Sequence, residues 1–65
     1  MMTQLYTIFG RHKAEIHEKL PKEAKIIKEN VAWMIVRSSM TWDEIREHYG
    51  DVATVGKCEQ KEEDL

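Results

Sequence analysis

The sequence predicts an all-α protein: a small three-helix domain preceded by a short extended or helical segment and followed by a disordered acidic tail. Three observations carry this expectation. Residues 11–20 are rich in Ala, Glu, Lys and Leu, which favour helix. Pro21 suits the first turn of a second helix, and no turn signal follows before residue 38. Residues 41–50 then spell a third helix with both ends marked.

Taken in order, the first element is ambiguous. Met2, Leu5, Phe9, Ile16 and Leu20 form a helical stripe, yet "TQLYTIF" (3–9) holds the β-branched and aromatic residues that suit a strand. In "GRHKAEIHEKL" the pair Glu15 and Lys19 stands at the favourable i,i+4 spacing, and Pro21 ends that helix near Leu20. The next, "PKEAKIIKENVAWMIVRSS", has Ala24, Ile27, Val31 and Met34 at helical spacing, with Lys22, Lys25 and Lys28 on its flank. Its run "VAWMIV" puts six apolar residues in a row, so a helix there is apolar all round and needs cover on more than one side. The alternative is a small α/β arrangement with short strands near 3–9, 31–37 and 52–56, because Val31, Ile35 and Val36 are β-branched and Asn30 can close a preceding helix.

The third helix is the most fully specified. Thr41 and Glu44 make the capping-box pattern, Met40 and Ile45 take staple positions, and Asp43 and Glu44 put negative charge at the positive end of the helix dipole. Gly50 marks its end, giving a helix from about Trp42 to Tyr49 with Trp42, Ile45 and Tyr49 inward.

Around it, "SSMTWDEIREHYGDVATVGK" resembles a helix-turn-helix unit: Thr41, Trp42, Glu44, Ile45, Gly50, Thr54 and Val55 match, over Ser39 to Val55. That resemblance implies a recognition helix after Gly50 and a DNA-binding regulator. Three features depart from the pattern: Arg46 replaces a small residue, the spacing from Gly50 to Val55 is about one residue short, and Gly56 lies inside the second helix. A reader of duplex DNA draws affinity from Lys and Arg on phosphates. Here Lys57 and Lys61 are outnumbered by Asp51, Glu59, Glu62, Glu63 and Asp64. Nucleic acid would instead meet Arg11, Lys13, Lys22, Lys25 and Lys28.

The net charge of -2 is unevenly spread: residues 1–40 hold seven Lys/Arg against four Glu, and residues 41–65 hold three against eight acids. A 65-residue chain makes one domain with a thin core, read here as residues 1–58 with 59–65 as tail; such chains often gain stability by oligomerising or docking. Its single cysteine, Cys58, excludes an internal disulfide and fits a reducing compartment. No stretch approaches the ~20 apolar residues of a membrane span. With no leader-like start, the expected location is cytoplasmic.

Catalytic and metal patterns are missing from the sequence. His12 and His17 are five residues apart and share no helical face; His48 and Cys58 are ten apart without a ligand spacing. No phosphate loop or paired carboxylate suggests an enzyme, a cofactor or a metal. The expected function is therefore a small regulator or adaptor, dimeric or bound to a larger protein. Its contacts are expected from Trp33, Met34, Ile35 and Arg37, since Trp and Arg are enriched at binding hot spots. The alternatives are the DNA-binding regulator and an acidic inhibitor of a nucleic-acid-binding protein.

Overall fold

Residues 4–9 alternate in burial: Tyr6 and Ile8 are buried, while Gln4 and Phe9 are exposed and Leu5 and Thr7 lie between. This period of two belongs to a strand with one fully covered face. The computed structural model, which describes residues 2–65, continues as β1 (Gln4–Phe9), α1 (Lys13–Glu18), β2 (Lys25–Glu29), β3 (Trp33–Ser38), α2 (Trp42–Tyr49) and β4 (Thr54–Lys57), with a 3-10 turn at Glu62–Asp64. The four strands form one antiparallel sheet in the order β2-β3-β1-β4. This is the split βαβ topology of ferredoxin-like domains.

Both helices pack on the same face of the sheet. Tyr6, Ile8, Met34 and Val36 from the strands meet Ile16 of α1 and Ile45 and Tyr49 of α2 in one buried cluster. Trp42 roofs its edge, its ring centroid 6.2 Å from that of Tyr6, and the cations of Arg46 and Lys57 each lie 5.2 Å from the Trp42 ring. The Tyr6 hydroxyl donates to the Met40 carbonyl at 2.6 Å, tying β1 to the start of α2.

With 33% of residues in strands and 27% in helices, the all-α three-helix expectation is overturned, and the molecule is not a small helical protein. The expected helix over 21–38 is the hairpin β2–β3. Its turn is set by Asn30, whose side-chain oxygen accepts from the Ala32 and Trp33 amides at 2.9 and 3.0 Å, while its own amide donates to the Trp33 carbonyl. Such side-chain mimicry of a backbone turn is a habit of Asn. Upstream, Pro21 opens a turn rather than a helix, closed by the Ala24 amide on the Pro21 carbonyl. The Glu23 carboxylate accepts from Ser38 Oγ at 2.7 Å and the Ser39 amide at 3.0 Å, which pins that turn to the end of β3. Strands proposed near 3–9, 31–37 and 52–56 overlap β1, β3 and β4; β2 stood in neither reading.

The helix over Trp42–Tyr49 has the boundaries its sequence marks. Thr41 Oγ1 accepts from the Glu44 amide at 3.2 Å and Glu44 returns a carboxylate to the Thr41 amide at 2.9 Å. Gly50 follows at φ 53° and ψ -123°, where a side chain is strained. What comes next is not a recognition helix: residues 54–57 form β4 on the edge of β1, so the helix-turn-helix resemblance ends at Gly50. No described helix is long and apolar enough to cross a membrane.

Candidate binding surface

With both helices on one side, the other face of the sheet is open, and register decides what it shows. Paired residues in an antiparallel ladder point the same way. Phe9 stands opposite Trp33, Thr7 opposite Ile35 and Leu5 opposite Arg37. On the far side of β1, Thr54 extends the Phe9 row and Gly56 the Thr7 row. The ring of Phe9 reaches across β4, with Cε2 3.7 Å from where a side chain on Gly56 would begin. Phe9 remains 42% exposed, whereas Ile35 at the centre is only 5% exposed.

On the other flank, β2 carries a bulge. Lys25 pairs with Arg37 and Ile26 with Val36; after Ile27 the register shifts, so that Lys28 pairs with Ile35 and Glu29 with Met34. Without the extra residue, Lys25 and Lys28, three apart, would point to opposite faces. The bulge instead sets both lysines on the open face, beside Arg37 and Ile35, and turns Glu29 to the helix side. There Glu29 accepts from Lys13 Nζ at 2.9 Å and meets the His17 ring at 2.6 Å. Those contacts, Lys13 first, hold its carboxyl below the ordinary glutamate range.

The strand residues of the open face thus include three cations, Lys25, Lys28 and Arg37, and no carboxylate. Acids reach it from the segment after β4. Beyond Lys57 the Cys58 amide donates to the Leu5 carbonyl at 3.1 Å. The chain then turns back over the sheet, and both carboxylate oxygens of Glu62 accept from Arg37 Nη1 at 3.0 and 3.1 Å. Residues 59–65, expected as a tail, thereby touch the open face. Between them and the aromatic row lies a cleft of about 280 Å³ lined by Thr7, Phe9, Trp33, Ile35 and residues 57–60.

Of the residues expected to bind protein, Trp33, Ile35 and Arg37 share this face, Trp33 and Arg37 half-buried and Ile35 buried at its centre. Met34 alternates to the other side and is wholly buried in the core, so it offers no contact surface. The five basic residues expected on nucleic acid divide: Lys25 and Lys28 lie on the open face, Lys13 is engaged with Glu29, and Arg11 and Lys22 are exposed in the turns flanking α1. Phe9 is the surface residue that helix-based reading missed. Its signal was the alternation of "LYTIF", in which one aromatic, Tyr6, and one aliphatic, Ile8, point in and Phe9 is left out.

A wider depression of about 480 Å³ runs along α2 and the start of β4, but its charged groups, Asp43, Arg46 and Glu47, are all exposed. Among the described residues no three His, Cys, Asp or Glu side chains converge as a metal site would require. His48 instead contacts the Lys19 carbonyl through Nε2 and sets α2 against the end of α1. No family model, curated protein or solved structure matches this chain.

Proposed function

We propose that this chain is a small non-enzymatic binding module, a regulator or adaptor that captures a protein partner on the open face of its sheet. One observation carries the reading. Phe9 and Trp33 stand side by side on the two central strands, on the face no helix covers, with Ile35 and Arg37 in the rows behind them. An exposed Phe9 and a half-buried Trp33 next to an arginine are the composition of a binding hot spot, where a few anchors supply most of the affinity.

A second reading has its own support. Lys25, Lys28 and Arg37 flank the aromatic pair, and stacking surfaces beside cations also suit single-stranded nucleic acid. It differs from the duplex reader the helix-turn-helix resemblance implied, whose recognition helix is replaced by β4.

Affinity capture with the full chain, with and without nuclease, separates the two. The expected result is a captured protein that survives nuclease and is lost with Phe9→Ala and with Trp33→Ala, while circular dichroism of both variants stays close to that of the native chain. Capture that disappears on nuclease treatment would transfer the reading to nucleic acid. Capture indifferent to both substitutions would remove the open face as the working surface.

A further inference from the structure

We propose that the open face takes an extended, acidic peptide segment of its partner, and that Glu62 and the residues after it occupy the same site within the chain as a built-in competitor. This rests on the binding reading above and names the chemistry of its ligand. The charge of the face comes first: Lys25, Lys28 and Arg37 point from it and no strand carboxylate does. The second observation is the occupant itself. A peptide bearing Glu59, Glu62, Glu63 and Asp64 already lies against the face, and Arg37 holds Glu62 by both oxygens.

The seat is only partly filled. Arg37 and Trp33 are four residues apart on β3, about 13 Å at strand rise. The cleft beside Phe9 and Trp33, about 280 Å³, has room for a bulky apolar side chain. The complementary ligand is thus an extended segment with a carboxylate for Arg37 and, about four residues away, an apolar side chain for the cleft. A partner offering both displaces from Arg37 Glu62 and the residues after it, which offer only the first, while residues 57–60 stay as a wall of the cleft. The competition is modest in size, because an exposed ion pair at the upper end of its usual range changes an equilibrium about five-fold.

The test uses the full-length chain, labelled with ¹⁵N, and a full-length variant with Glu62→Gln, Glu63→Gln and Asp64→Asn. The probe is the peptide Phe-Glu-Gln-Lys-Glu-Glu-Asp-Leu, titrated to millimolar concentration. The expected result is shifts in the amides of Thr7, Phe9, Ile35 and Arg37 and in the Trp33 indole. Binding should be about five-fold tighter to the variant than to the native chain. Adding Arg37→Gln to the variant should weaken it about five-fold while amide dispersion shows the fold intact, and a probe with Gln and Asn for its acids should bind more weakly still.

Three results would overturn the proposal: a silent acidic probe, shifts confined to the helix side, or an oligothymidylate that moves the same signals at lower concentration than the peptide. If the probe is silent while Phe9- and Trp33-dependent protein capture persists, only the acidic-segment ligand falls. If that capture also fails, the binding reading falls with it.

Discussion

Two buried tyrosines show how one hydroxyl can stabilise and another cost. Tyr6 and Tyr49 are both fully buried, but only Tyr6 has a partner for its hydroxyl, the Met40 carbonyl. Tyr49 Oη is buried with none, and burial pushes its pKa up to about 12. An unpaired buried polar atom carries its desolvation penalty, whereas removing one partner of a made bond orphans the other. Tyr49→Phe should therefore gain about 1 kcal/mol and Tyr6→Phe lose about 1 kcal/mol. Urea unfolding of the two variants checks this, and a loss of stability in Tyr49→Phe would reveal a partner for that hydroxyl. The two effects sit in the same core cluster, so only the hydroxyls distinguish them.

At the scale of elements, α2 and the β2–β3 hairpin contrast in what specifies them. The helix is closed at its start by a reciprocal pair of hydrogen bonds between residues three apart. Thr41→Ala removes one of them and should cost about 1 kcal/mol; thermal melts read by circular dichroism would contradict the capping account if the midpoint did not move. The hairpin depends instead on contacts across the chain. Its strand β3 shows apolar residues in both directions because Met34 and Val36 enter the core while Trp33 and Ile35 line the open face. Of the six apolar residues in a row, Trp33, Met34, Ile35 and Val36 belong to a central strand and Val31 and Ala32 to the exposed turn before it, so the helical spacing of Ala24, Ile27, Val31 and Met34 is incidental. Edge strand β2 is guarded by two lysines and a bulge, features that discourage pairing with another chain's edge.

At the scale of the molecule, the basic and acidic halves of the chain meet on the open face, where Glu62 of the acidic C-terminal segment reaches Arg37 among the strand cations. Cations line the open side of the strands, while the carboxylates of α1 and α2, with the inward-turned Glu29, lie on the helix side. Two glutamates, Glu23 and Glu29, also join distant parts, and a third, Glu44, closes its own helix cap. Ser38 and the Ser39 amide lower Glu23, Lys13 and His17 lower Glu29, and the Thr41 amide and hydroxyl lower Glu44. A carboxyl whose folded pKa lies below its unfolded one contributes stability above the ordinary value, and loses it as pH falls through the folded pKa. Stability should accordingly be level at neutral pH and decline below about 4.5. Urea midpoints at pH 7 and pH 3 measure the fall, and Glu23→Gln should make it shallower; equal midpoints at the two pH values would contradict it.

The sequence by itself determined α2, from its capping box to Gly50, because a helix closes its bonds within a few residues and writes its ends locally. It also marked the alternation of β1 and the acidity of residues 59–65. Tertiary structure decided the rest. Whether 25–38 coils or pairs depends on β1 lying beside β3, a contact between residues some thirty positions apart that no window of sequence contains. The bulge at Ile27 is likewise defined only against β3, yet it decides that Lys25 and Lys28 join Arg37 and the aromatic pair on one surface. Trp33, Ile35 and Arg37, proposed as contact residues, could be named from their chemistry. Their separation from Met34, and their meeting with Phe9, required the sheet, because strand side chains alternate and only pairing tells which face is covered.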